Sequence, residues 1–173
     1  MTRWAKDVSP GNTHPEYPRP QMVRKEWRNL NGLWDYAITD KDAPAPNQWR
    51  GKILVPFPIQ SALSGVMTNV TENQRLWYMR RFDIPRGWKE KRVLLHFGAV
   101  DWETTVSVNG KEVGKHSGGY DGFSCDITEA MHAKGENEIV VSVWDPTDAG
   151  PQPRGKQVRK PGGIWYTPTS GIW

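Results

Sequence analysis

Asn109-Gly110 stands between two runs in which apolar and polar residues alternate, and that arrangement leaves few folds open to the chain. A two-residue hairpin loop of type I′ needs positive φ at both central positions, which Asn and Gly tolerate. On the incoming side Trp102, Thr104, Val106 and Val108 share one face while Glu103, Thr105 and Ser107 share the other, the period of a half-buried strand. After Gly118-Gly119 the alternation resumes, with Phe123, Cys125 and Ile127 turned inward. Similar short β-rich runs, bounded by turn residues, occur at 32–39, 51–56, 75–84, 91–97, 102–109, 111–116, 122–128 and 137–145. Strands at this spacing predict an all-β sandwich or barrel rather than βαβ units. The one helical candidate, TEAMHAKG at 128–135, is worth one or two turns, with Thr128 as N-cap and Gly135 as its stop.

Residues 1–29 read as an extended lead, because Pro10, Pro15, Pro18 and Pro20 forbid regular helix. Residues 30–173 then read as a single sandwich domain, a size that all-β folds reach as one unit. Two connections, 57–74 and 146–169, are long for a compact domain, and loops of that length are usually functional or docked on something. No apolar run approaches the roughly 18 residues that a spanning helix needs, so no membrane partner is expected. The start, Met1-Thr2-Arg3-Trp4, does not resemble a signal peptide. The expected compartment is the periplasm or exterior if a signal has been removed, and otherwise the cytoplasm.

The net charge of +4 and pI near 9.2 raise the question of nucleic acid, which requires basic residues clustered on one face. They are spread instead, and the densest group, Arg154, Lys156, Arg159 and Lys160, lies in a Pro/Gly-rich loop that reads as solvated and mobile. No nucleic-acid partner is expected. A single cysteine rules out an internal disulfide, and Cys125 reads as a buried structural thiol. His14, His96, His116 and His132 lack the spacing of a zinc site, so no metal is expected. No Gly-rich loop leads from strand to helix, and neither SALSG (61–65) nor TSG (169–171) has the flanking glycines of a nucleophile elbow. Asn69-Val70-Thr71 matches the N-glycosylation acceptor pattern, a match common by chance. No catalytic residue is assigned in this chain, and no cofactor is expected.

The ten tryptophans are the informative excess, since one small sandwich cannot enclose them all and each indole N–H seeks a partner. Some must lie at a surface or an interface. The stretch GGIWYTPTSGIW differs from the rest because its aromatics occupy a Gly/Pro-rich loop rather than an alternating strand.

Arg19-Pro20, Trp27, Leu30-Asn31-Gly32, Trp34, the segment from Tyr78 to Phe82, Val108-Asn109-Gly110, Gly118-Gly119-Tyr120 and Ser170-Gly171-Ile172 occur in an order and at a spacing that carry a resemblance. Across almost its whole length the chain resembles the N-terminal sugar-binding domain of family-2 glycoside hydrolases, the β-galactosidase, β-glucuronidase and β-mannosidase group. The resemblance implies a jelly-roll β-sandwich of the galactose-binding type, followed in the parent enzyme by an immunoglobulin-like domain and a (β/α)₈ barrel that carries both catalytic glutamates. It implies a carbohydrate substrate met through the parent enzyme and a barrel on which this domain packs. The Asn-Gly hairpin and the Gly-Gly-Tyr turn look like structural elements of that sandwich. A free-standing carbohydrate-binding module, or an interaction domain of the same fold, is the competing reading.

In the galactosidase and glucuronidase branches an acidic residue lies five positions before the Ser/Ala of the Ser/Ala-Gly-Ile motif and reaches a sugar hydroxyl. Trp165 holds that position here, and residues 161–173 contain no Asp or Glu, so this loop cannot make that contact. An indole offers a flat apolar face and one donor, suited to stacking on a sugar ring. Trp165 and Tyr166, with Asn69 from the other long loop, are therefore the expected substrate-pocket rim. The alternative is that Trp165 packs beneath its own loop. Because family members continue a strand beyond Ser-Gly-Ile, an open edge beyond Trp173 and self-association through it are also expected.

Overall fold

In the computed structural model, which describes residues 1–88, 90–132 and 134–173, ten strands form two layers of antiparallel β structure. The strands are β1 (Gly32–Asp40), β2 (Gly51–Val55), β3 (Gln74–Phe82), β4 (Leu94–Phe97), β5 (Val100–Asp101), β6 (Glu103–Val108), β7 (Lys111–Ser117), β8 (Phe123–Asp126), β9 (Asn137–Trp144) and β10 (Gly171–Ile172). One layer is a six-stranded sheet in the order β2-β1-β3-β9-β6-β7. The pairs β4-β8 and β5-β10 make the other.

Period two decides which residues fill the space between the layers. Leu76 and Tyr78 of β3, Ile139, Val141 and Val143 of β9, and Val106 and Val108 of β6 are all nearly inaccessible. They meet Val93, Leu95, Phe97, Cys125, Ile127 and Ile172 from the opposing layer in one apolar cluster. Burial pushes the Cys125 thiol above its ordinary pKa, as the structural reading requires.

The hairpin forms as expected: Asn109 and Gly110 take φ of 51° and 79°. Asn109 also closes the strand end, its Nδ2 donating to Ala130 O and Asn137 Oδ1 at 2.8 Å each. Of the helical candidate at 128–135, in which 133 lies outside the described residues, the described part holds one 3₁₀ turn, Thr128–Ala130, and Ile127 rather than Thr128 precedes it as the cap residue. Thr128 is drawn into a different task, donating its hydroxyl to Asp126 Oδ1 and accepting from Val93 N. Residues 1–29 carry only two 3₁₀ turns, Arg3–Asp7 and Pro20–Met22, neither with a buried residue. Among the described residues no helix is long and apolar enough to cross a membrane.

β10 has no counterpart in the sequence pattern, since two residues cannot display a period. Gly171 and Ile172 pair with Asp101 and Val100. Gly171 has φ of 93°, and a Cβ there would overlap the Tyr78 hydroxyl. The glycine of the Ser-Gly-Ile motif is thus a packing requirement.

Candidate functional site

The two long connections meet at one end of the sandwich and are cross-linked at two places. Ile59 N donates to Ser170 O, and the Gln60 amide brackets Ser170 by accepting from its N at 3.0 Å and donating to its Oγ at 2.8 Å. Further along, Arg159 of the second connection is hydrogen-bonded to Glu72 of the first and to Asp148 of its own. A backbone hydrogen bond, and after it the Arg159 contact, hold Glu72 below the ordinary carboxylate range, and against the effect of burial the same Arg159 lowers Asp148.

Beneath these loops lies a buried polar lock. Ser170 is wholly inaccessible, and its Oγ donates to Asp145 Oδ2 at 2.6 Å. Asp145 Oδ1 accepts from Thr147 N at 2.7 Å and from Gln152 Nε2 at 3.2 Å. Asp101, 3% exposed, is the second carboxyl at this end. Removal from water and the neighbouring Asp145 carboxylate push Asp101 up to about 7, while the Gln157 amide opposes the rise. Burial likewise raises Asp145, against the pull of its hydrogen bonds.

The Asp101 shift implies a pH dependence. The unfolded chain loses this proton near pH 3.8, whereas the folded chain keeps it until about pH 7. The stabilisation from the retained proton is therefore full below the lower value and fades as pH rises through the upper one. Asp101→Asn, which mimics the protonated acid, should match the parent chain near pH 3 and be more stable at pH 8 by about 4 kcal/mol. Thermal melts across that range check this; equal slopes of stability against pH for the two proteins would refute it.

Above the lock the chain from 152 to 169 folds back on itself instead of running loose, as its Pro/Gly content predicts. Gln152 and Val158 are buried, Val158 N donates to Tyr166 O at 3.0 Å, and Tyr166 N donates to Lys156 O at 2.9 Å. Gly162 and Trp165 form a further bridge, which turns the aromatic pair outward. Trp165 is 42% exposed and Tyr166 64%, so Trp165 does not pack beneath its own loop. The Arg154 guanidinium lies 5.7 Å from the Trp165 ring and the Lys156 ammonium 6.0 Å from that of Tyr166, both within cation–π reach. Asn69 is exposed on the other connection, between buried Val70 and the Thr68 backbone bond to Ile59. Among the described residues no hydrogen bond joins Asn69 to Trp165 or Tyr166; the link runs through Glu72 and Arg159.

Several residues at this end escape sequence reasoning. Tyr120 of the Gly-Gly-Tyr turn is half exposed; its hydroxyl accepts from Gln157 Nε2, and Trp173 meets its ring edge-on. Asp101 and Asp145 follow inward-facing Val100 and half-buried Trp144 at strand ends, and that position after an apolar strand is the only signal the sequence offers for them.

Residues 27–151 match the family described as glycosyl hydrolases family 2, sugar binding domain. The chain is 26% identical over 133 residues to a β-glucuronidase from Paenibacillus borealis, covering 73% of this chain and 22% of that protein. It is 43% identical over 68 residues to a β-galactosidase from Thermoanaerobacter pseudethanolicus, covering 39% of this chain and 9% of the other. Among solved structures, a Lactobacillus rhamnosus β-glucuronidase superposes with a TM-score of 0.58 at 29% identity, over 68% of this chain and 21% of that one. The chain thus spans about a fifth of the length of the β-glucuronidases it matches. Sequence match and sandwich topology agree: the chain belongs to the sugar-binding-domain family of the family-2 glycosyl hydrolases.

Proposed function

We propose that the chain is the N-terminal accessory domain of a larger β-glycosidase that hydrolyses O-glycosidic bonds in carbohydrates, and that its loop end forms part of the rim of the sugar pocket. The partners in this reading are the rest of the parent polypeptide, including a catalytic barrel, and the carbohydrate that the barrel cleaves. Residues 1–29 serve as a lead and residues 30–173 as the domain proper. The observation that carries the reading is the exposed Trp165–Tyr166 pair on loops that are cross-linked to each other and anchored by the buried Asp145–Ser170 contact. A rim of this kind must hold its contact faces still while leaving them open, and the lock beneath supplies the stiffness.

With no Asp or Glu from 151 to 173, the loop meets the sugar through indole and phenol faces and the cations Arg154 and Lys156. In the parent protein, Trp165→Ala should lower kcat/KM for a β-glycoside about tenfold, the value of one good aromatic contact, with no change in melting temperature. Steady-state kinetics with a thermal melt of the same preparation test this. Unaltered kcat/KM would remove Trp165 from the site.

A further inference from the structure

The outward face of the six-stranded sheet, away from the core, carries its own pattern. The register places Ala37, Trp77, Ser142 and Thr105 side by side across four strands, with Met79, Val140 and Ser107 in the next row. The connection after β1 rises beside them as a wall, Lys41 to Ala45, enclosing a groove of about 450 Å³. Trp77 Nε1 donates to Thr39 Oγ1 at 2.9 Å, which fixes the indole; the side chain is partly exposed and lines the groove, while its small neighbours Ala37 and Ser142 are buried beside it.

The polar groups of the groove fall into two sets. The charges are internally engaged: Arg75 Nε donates to Lys41 O at 3.1 Å, its other nitrogen lies 3.8 Å from Glu103, and the Lys41 ammonium sits 3.6 Å from the Trp144 ring. The hydroxyls are not: among the described residues, the partly exposed Thr105 and Ser107 have no side-chain hydrogen-bond partner in the protein, and neither does Ser142, which is buried beneath them. A held aromatic plane beside a row of free hydroxyls, with the cations already occupied and two carboxylates, Asp42 and Glu103, nearby, matches a ligand that is uncharged, flat and apolar on one face and rich in hydroxyls at its edge. An anionic ligand would have to displace Arg75 from Glu103 and approach Asp42.

We propose that this groove is a second carbohydrate-binding surface, one that takes a segment of a neutral glycan chain by stacking a pyranose on Trp77 and hydrogen-bonding its hydroxyls to Thr105 and Ser107. It is independent of the pocket-rim reading, and the loss or survival of that reading through Trp165 leaves it untouched. One end of the groove adjoins the loop system, since Trp144 Nε1 donates to Glu72 O and Glu72 holds Arg159. A chain bound here is thereby held on the same molecule that bears the sugar-pocket rim, which raises its local concentration.

The test is titration of the 173-residue chain with neutral hexasaccharides of glucose, xylose and mannose, and with hexagalacturonate as the acidic control, followed by indole and amide NMR shifts. The expected result is weak, millimolar binding of at least one neutral hexasaccharide, with shifts centred on the Trp77 indole and the amides of 105, 107 and 142. Trp77→Ala and, as a variant on a half-exposed position, Thr105→Lys should each weaken it about tenfold or more, whereas Trp165→Ala should not. Absence of binding to all three neutral probes, preference for hexagalacturonate, or retention of binding in both groove variants would each overturn the proposal. So would concentration-dependent self-association that protects the same amides, which would make a second copy of the chain the occupant.

Discussion

The chain by itself is expected to release no chromophore from nitrophenyl β-galactosides, β-glucuronides or β-mannosides. Retaining hydrolysis needs an acid/base and a nucleophile about 5 Å apart on either side of an open bond site. Among the described residues Asp101 and Asp145 form the buried carboxyl pair, and neither is available for that task. Asp145 has both oxygens committed, one to Ser170 and one to Thr147 and Gln152. Asp101 lies under the Gly119 backbone, where even a methyl group on that glycine would touch its carboxylate. Both carboxyls therefore act as structural pins. With neither of these carboxyls free to serve as acid/base or nucleophile, the chain by itself is expected to forgo an acceleration of at least about 10⁶-fold. Colour release above the spontaneous rate, from a preparation free of host glycosidases, would show that this chain holds catalytic groups of its own.

Tyr78→Ala should be the most damaging single truncation of the fold. The side chain is fully buried at the centre of the six-stranded sheet, and its hydroxyl accepts from Ile172 N, which fastens β10 to the core. Truncation removes a large apolar surface, leaves a cavity and strands the Ile172 amide, a combined cost of about 3–5 kcal/mol. That is a large part of the roughly 5–15 kcal/mol that holds a domain together. Tyr78→Phe removes only the hydroxyl and should cost about 1 kcal/mol. Urea midpoints of the two variants check the ordering; a Phe variant as unstable as the Ala variant would mean that the hydroxyl contact to β10, not the ring, supports the core.

The strands were legible because most of them show one face to the core and the other outward. The pattern of Trp102, Thr104, Val106 and Val108 predicts burial of the last three, and the structure buries them, leaving Trp102 half exposed at the strand's end. The Asn-Gly turn was legible because positive φ has few chemical solutions. β10 was not, because its two residues are held by Tyr78 and Val100, partners more than seventy positions away. The site divides in the same way. Trp165 and Tyr166 stood out as aromatics in a glycine-rich loop and are exposed. Asp101 and Asp145 carry only the faint signal of their place after an apolar strand, and Gln157 none, since a buried polar lock is specified by which distant loops converge and not by neighbours in the chain. Thr128 was misread for a related reason: its hydroxyl satisfies groups on two other segments instead of capping its own turn.

In the proposed function the loop end of the sandwich faces a sugar site in the parent enzyme. A crystal structure of the full-length protein with a sugar-shaped glycosidase inhibitor in its barrel tests that most directly. The predicted result is Trp165 or Tyr166 within about 4 Å of the inhibitor, with the Asp145–Ser170 contact intact beneath them. A structure in which the 152–169 loop faces away from the bound inhibitor, with the pocket rim built from other segments, would contradict it.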